Sequence, residues 1–287
     1  MSRYFRNLFV FAALISSAPV SYSQVETLEV SVKTVGEAFS PGAVLPSEIP
    51  GLLKLPPGTK LPAVLILHGS NGIDGRGDYY AKALNASGIA TLEIDMWKPR
   101  KVFNLSSRPK SFFDNLPDVW GAWMYLSNHS RIDRENIGIM GFSWGGVLSV
   151  ITGFQGKPKN SPDELKNAQF KANAPFYPGC TFILGRARAP LSAKGPSGAP
   201  ILLHVGSRDD YDYDGDCSKL NSAFPTAPLR VVILDGATHG FDGLSSMNFF
   251  DPMAKDGRGS NIQVAPSQKA AEQARENIVK FFKESLR

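Results

Sequence analysis

Residues 136–146 read NIGIMGFSWGG: a short β-branched run, then Gly141-Phe142-Ser143-Trp144-Gly145-Gly146, followed by the apolar and helix-like VLSVITGF. That order leaves little freedom of local fold. A strand can turn directly into a helix through one residue in strained backbone angles, with glycines beside it because the two segments pass closely. The serine hydroxyl then projects above the sheet, and the N–H of Trp144, at the helix start, points toward negative charge developing beside that oxygen. The motif therefore predicts nucleophilic catalysis. A Gly-x-Ser-x-Gly match alone also arises by chance, so the flanking strand and helix carry the weight of the reading.

The elements around it set the fold class. Val25 to Val35 alternates apolar and polar residues, and Gly51 to Leu55 precedes a Pro56-Pro57-Gly58 turn; both read as antiparallel edge strands. Ala63 to Leu67 is apolar throughout, as in a strand buried on both faces, and runs into His68-Gly69-Ser70-Asn71-Gly72. Helix Tyr79 to Ser87, strand Ile89 to Ile94, helix Leu116 to Ser127 and strand Ile137 to Met140 continue a βαβ rhythm. Lys157 to Lys166 reads as a surface excursion, Ala172 to Tyr177 and Ile201 to Val205 as strands, and Arg186 to Pro200 as a loop between them. Leu229 to Leu234 is expected to be the last strand, before an amphipathic helix over Ser267 to Leu286. This alternation predicts an α/β fold with a mostly parallel central sheet and helices on both faces.

The 287 residues, 43% hydrophobic and 20% charged, suffice for one substantial core. Residues 1–23 differ from the rest. Arg3 and Arg6 precede the apolar run Leu8 to Ile15, and small residues lead to Ser21-Tyr22-Ser23, the pattern of a secretory signal cleaved near Ser23-Gln24 or, alternatively, at Ala18. The run is too short for a permanent membrane span. Residues 24–287 are expected to form one domain of an exported, periplasmic or secreted protein. Loss of the leader removes two arginines and no acids, taking the formal charge from +5 to +3. With no basic run interleaved with aromatics, nucleic acid is not an expected partner. Cys180 and Cys217 fit an exported protein with one disulfide, since both follow predicted strand ends on one edge of the sheet; two buried free thiols are the alternative.

A serine hydroxyl needs a base, and the base needs a group that holds its tautomer. The chain has four histidines. His129 lies on a polar loop and reads as a surface residue, His204 inside ILLHVG as a packed core residue, and His68 as a residue that orders its His-Gly turn. His239, in DGATHGF directly after the last predicted strand, stands where open α/β sheets place ligands. The acid is expected from an earlier strand end, where Gly206-Ser207-Arg208-Asp209-Asp210 offers two competing carboxylates.

The order serine, acid, histidine resembles the α/β-hydrolases, and within them the chain is similar to the dienelactone hydrolase family. The segments that carry the resemblance are LILHGSNG (65–72), EIDMWKPR (93–100), GFSWGG (141–146), FYPGC (176–180), HVGSRDDYDYDGDC (204–217) and DGATHGF (235–241). Together they cover most of the chain after its first strands. The resemblance implies the acid of the Gly-x-x-Asp turn, hence Asp209 rather than Asp210. It also implies oxyanion donors in the backbone N–H groups of Trp144 and Ser70, with Asn71 as the alternative to Ser70. Where the family's namesakes carry cysteine at the elbow this chain has Ser143, which points to ordinary ester or lactone cleavage.

No metal or cofactor is expected: there is no His-Glu-x-x-His, and the acidic run Asp209 to Asp216 lacks the spacing of a calcium loop, reading instead as a solvated loop plus one catalytic acid. The expected partner is a small ester or lactone. Arg76, Arg100, Arg186, Arg188 and Arg208 lie near predicted loops and could pair with a substrate carboxylate, and Trp97 and Trp144 could line an acyl site. A serine peptidase or acyltransferase on the same scaffold, or a hydrolase-like binding protein without activity, are the competing readings.

Overall fold

A computed structural model describes residues 24–287. The expected leader at residues 1–23 lies outside the described residues. The chain runs β1 (Glu26–Lys33), β2 (Glu48–Leu55), β3 (Leu61–Leu67), α1 (Arg76–Ala86), β4 (Ala90–Ile94), α2 (Leu116–Ser127), β5 (Ile132–Phe142) and α3 (Trp144–Gly153). It continues through β6 (Asn173–Phe176), α4 (Cys180–Leu184), α5 (Arg188–Lys194), β7 (Ile201–Arg208), α6 (Asp216–Ala223) and β8 (Leu229–Thr238). The last elements are β9 (Met247–Asp251), the single turn α7 (Ala254–Gly257), β10 (Ser260–Val264) and α8 (Gln268–Ser285).

Eight strands form one sheet in the order β1-β2-β4-β3-β5-β6-β7-β8. The antiparallel pair β1 and β2 joins antiparallel to β4, and from β4 to β8 every pairing is parallel. Ala63 to Leu67 of β3 are wholly buried, as expected of a central strand covered by helices on both faces. On one face α8 presents Ala270, Ala274, Ile278 and Phe282, spaced four apart along one stripe, and its first turn is capped by the Ser267 hydroxyl accepting from the Ala270 N–H.

From β3 the chain crosses to β4 on one side and returns to β5 on the other. The crevice above the carboxyl ends of β3 and β5 is therefore the switch point where such sheets bind ligands. Leu67 pairs with Gly141, so the loop after β3 and the turn after β5 emerge side by side.

Two expectations need correction. Residues 186–200 are not all loop, because α5 forms there with Leu191 buried. Nor is the strand beginning at Leu229 the last: it extends to Thr238, and β9 and β10 follow as an antiparallel hairpin outside the main sheet. Ile262 and Val264 alternate with polar Asn261 and Gln263 and bury with Ala254 in a small separate cluster. That alternation was present in the sequence, but five residues within a glycine-rich stretch give a weak strand signal. Among the described residues, no helix is long and apolar enough to cross a membrane.

Candidate active site

Ser143 stands at φ 49° and ψ −106°, a conformation an L-residue adopts only when its surroundings impose it. Those surroundings are backbone. A Cβ on Gly141 would lie 2.3 Å from the Gly145 carbonyl oxygen, one on Gly145 2.4 Å from that of Leu67, and one on Gly146 2.5 Å from that of Phe176. The three glycines thus let α3 start hard against β3, β5 and β6, which pushes Ser143 above the sheet. Its own N–H donates to the Phe176 carbonyl at 3.0 Å, and its carbonyl accepts from Val147 at 2.9 Å.

Asp209 and His239 meet because of strand register. Arg208 at the end of β7 pairs with Thr238 at the end of β8, after a register shift between Gly206 and Arg208. Asp209 and His239 are the next residue on each strand. His239 Nδ1 lies 2.9 and 3.0 Å from the two Asp209 carboxylate oxygens, and Nε2 lies 3.0 Å from Ser143 Oγ. A carboxylate only accepts, so the ring proton sits on Nδ1 and the lone pair of Nε2 faces the serine hydroxyl. Asp209 and His239 are both buried, while Ser143 is partly open to the cleft. Asp210 points elsewhere, accepting from the Gln263 N–H of β10 at 2.9 Å.

The loop after β3 is pinned around a single peptide unit. His68 Nε2 accepts from the Met96 N–H at 2.9 Å, leaving the proton on Nδ1 to be donated to the Gly69 carbonyl at 2.8 Å. Burial holds the His68 pKa below its ordinary value, which favours this neutral form. Gly69 O also accepts from Gly72 N–H at 3.1 Å. That carbonyl belongs to the same peptide group as the Ser70 N–H. Among the described residues neither the Ser70 nor the Trp144 N–H has a protein acceptor, and both residues border the cavity that holds Ser143 and His239. Two free donors beside a serine hydroxyl suit an oxyanion.

Two chambers open on either side of Ser143 and His239. One is small, about 50 Å³, and walled by Phe112, Trp144, Val147, Phe182 and Met253; the other is about 240 Å³ and walled by Leu105, Leu244, Met247 and Phe249. Ser70, Ser143, Tyr211 and His239 border both. Trp144 thus reaches the site, its Nε1 donating to Asn115 at 3.1 Å, whereas Trp97 is core, packed on His68 and donating from Nε1 to the Ser70 carbonyl at 3.0 Å.

Of the candidate arginines, Arg76 borders the larger chamber and Arg186 the small one. Arg100 is buried against Asp118, and Arg188 and Arg208 are exposed, none of them at either chamber. Arg186 borders the small chamber but pairs with Asp256 at 2.5 Å. Arg76 is bound by Asp74 and donates to the Tyr177 hydroxyl at 2.9 Å. Arg108, which no sequence motif marked, borders the small chamber beside the serine.

Tyr177 and Tyr211 fall within the family-like segments FYPGC and HVGSRDDYDYDGDC, but no role for them at the site was legible there. Tyr177 stands edge-on to His239 at 4.8 Å and donates to the buried Asp242 at 2.6 Å, which accepts from Tyr80 as well. The Tyr211 ring lies 4.1 Å from the His239 ring. The aromatic spacing along the chain gave no hint of either contact.

The acidic run is not simply solvated. Asp212 and Asp216 are buried, and both anchor Thr181: Asp212 accepts from its N–H at 2.7 Å and Asp216 from its hydroxyl at 2.8 Å. Burial and the neighbouring charge of Asp209 push the Asp212 carboxyl up to about 7. Cys180 and Cys217 are bonded, with an S–S distance of 1.97 Å, tying the loop after β6 to the start of α6. Asp212 lies near both sulfurs, but a disulfide has no thiolate to offer a metal.

Known proteins agree with this architecture. A Bradyrhizobium sp. protein named as a probable 2-oxo-3-(5-oxofuran-2-ylidene)propanoate lactonase is 27% identical over 164 residues, spanning 53% of this chain and 61% of that protein's length. Among solved structures, the dienelactone hydrolase of Anabaena variabilis matches with a TM-score of 0.59 at 22% identity, covering 92% of this chain and 100% of its own. The dienelactone hydrolase-like promiscuous phosphotriesterase P91 from metagenomic libraries matches with a TM-score of 0.66 at 18% identity, covering 92% and 99%. The sequence model of one family matches residues 49–286, from β2 to the C-terminal helix and including Ser143, Asp209 and His239, so this chain belongs to the dienelactone hydrolase family.

Proposed function

We propose that this protein is an exported serine hydrolase that cleaves small carboxylic esters or lactones through an acyl-enzyme on Ser143. The observation that carries the reading is the continuous hydrogen-bonded chain from Asp209 through His239 to Ser143 Oγ. Ser143 attacks the substrate carbonyl while His239 Nε2 takes its proton, and Asp209 holds the imidazole and stabilises the imidazolium. The carbonyl oxygen becomes an oxyanion facing the N–H groups of Trp144 and Ser70. Collapse expels the alcohol, protonated by His239, and leaves the acyl-enzyme. Water, activated by the same histidine, then attacks the acyl carbonyl and frees the acid and Ser143.

Membership of the dienelactone hydrolase family and the lactonase name of the Bradyrhizobium relative support ester or lactone chemistry. Export is supported by the leader-like pattern of residues 1–23 and by a disulfide of the kind that persists in oxidising compartments. The test is fluorophosphonate labelling followed by p-nitrophenyl ester and lactone assays. Labelling should be lost in Ser143→Ala and His239→Ala, and Asp209→Asn should lower kcat by about 10⁴-fold, the cost of the wrong imidazole tautomer, while Asp210→Asn costs little. Labelling that survives in Ser143→Ala, or equal losses in the two aspartate variants, would overturn the assignment.

A further inference from the structure

We propose that Arg108, anchored by Asp251 of β9, is a positioning residue for the oxyanion-binding loop. Arg108 Nη1 donates to Ser70 Oγ at 2.9 Å, and its guanidinium lies 5.8 Å over the Trp144 ring. It therefore touches the side chains of both residues whose free N–H groups face the cleft. The guanidinium is itself fixed on every side. Nε donates to the Leu105 carbonyl at 2.7 Å, and Nη1 and Nη2 reach the Asp251 carboxylate at 3.2–3.3 Å. Asp251 is buried, and it also accepts from the Met253 N–H at 2.8 Å and the Tyr211 hydroxyl at 2.7 Å.

One carboxylate thus ties together the oxyanion loop, through Arg108, and the ring packed against the base, through Tyr211. An arginine whose side chain is 5% exposed and each of whose three nitrogens already donates within the protein has little to offer a substrate carboxylate, but it is well built to hold a loop. The peptide that carries the Ser70 N–H is held at Gly69 O by His68 and at the following carbonyl by Trp97. Arg108 supplies the third anchor, on the side chain. Since oxyanion donors act by being fixed before the reaction, loosening this anchor affects the transition state more than substrate binding.

The inference rests on the acyl-enzyme reading above, and Ser143→Ala measured alongside separates the two: activity surviving in that variant refutes the mechanism, not the anchor. The experiment is steady-state hydrolysis of a p-nitrophenyl ester by Arg108→Met, Arg108→Lys, Ser70→Ala and the double variant Ser70→Ala/Arg108→Met. Arg108→Met should lose about 10- to 100-fold in kcat, the range that displacement of a catalytic group brings, with little change in KM. Arg108→Lys should recover part of that loss. Ser70→Ala keeps the N–H and the fold while removing only the hydroxyl, so it should show a loss of the same kind, and the double variant should be no worse than Arg108→Met. A rise in KM with kcat unchanged would make Arg108 a substrate-binding residue and overturn the proposal. Losses that multiply in the double variant would overturn it equally, since they would mean that the two side chains act independently.

Discussion

Acid should unfold this protein partly through a histidine that lines neither chamber of the site. His204 is fully buried in β7, its ring packed 4.9 Å from Phe176. Its Nε2 faces Asn277 Nδ2 at 3.3 Å, and among the described residues Nδ1 has no partner. Burial, with a smaller effect of the Arg230 charge, lowers its pKa from 6.5 to about 3. Above pH 6.5 the ring is neutral in both folded and unfolded chains and contributes no pH dependence. Below it, the unfolded chain binds a proton that the folded chain refuses, so stability falls by about 1.4 kcal/mol per pH step until about pH 3.

Two carboxyls, the half-buried Glu93 and the buried Asp212, act in the opposite direction. Burial pushes Glu93 up to about 7, as burial and Asp209 do for Asp212. A raised carboxyl stabilises the fold below its unfolded pKa and loses that contribution as pH rises toward 7. The slope of the wild type alone is therefore a sum of opposing effects, and a difference between variants isolates the histidine. His204→Gln keeps a polar partner for Asn277 and removes the titration. In urea unfolding at pH 7.5, 6.5, 5.5 and 5.0, the stability gap between the variant and the wild type should move by about 2 kcal/mol in favour of the variant from pH 7.5 to 5.0. A gap constant to within about 0.5 kcal/mol would refute the reasoning, because folded His204 would then accept its proton as an exposed histidine does.

Two other perturbations test the frame of the site. Gly145→Ala places a methyl group 2.4 Å from the Leu67 carbonyl oxygen and 2.8 Å from that of His68, so α3 must move away from β3. Thermal melts should register a loss of about 1–3 kcal/mol, with kcat falling by about 100-fold because serine and oxyanion loop shift apart. Replacing both Cys180 and Cys217 by alanine removes a cross-link between residues 37 apart in sequence, worth about 4 kcal/mol by loop-closure entropy, and denaturant unfolding should show a loss of that order.

Much of this molecule was legible in its sequence. Strand β3 and the second half of β5, from Ile137, carried apolar runs, and the glycines around Ser143 declared a turn that other residues cannot make. His239 followed a recognisable strand, although that strand extends to Thr238 rather than ending at Leu234. These features are local, written within about ten consecutive residues. The hairpin of β9 and β10 was missed because its short strands pair only with each other and bury a small cluster.

The sequence by itself determined a parallel α/β sheet, a serine held on a strained turn, and a short choice of bases and acids. Only the tertiary structure shows Asp209, and not Asp210, lying beside His239. The shift in register between β7 and β8 brings Asp209 level with His239 and turns Asp210 toward β10. The structure alone also revealed Arg108 reaching Asp251 across 143 residues and Tyr177 reaching Asp242 across 65. Such contacts arise where separate strand ends and loops converge over the sheet. Side chains that meet there need share no spacing or pattern along the chain, so nothing in their own sequence neighbourhoods records the encounter.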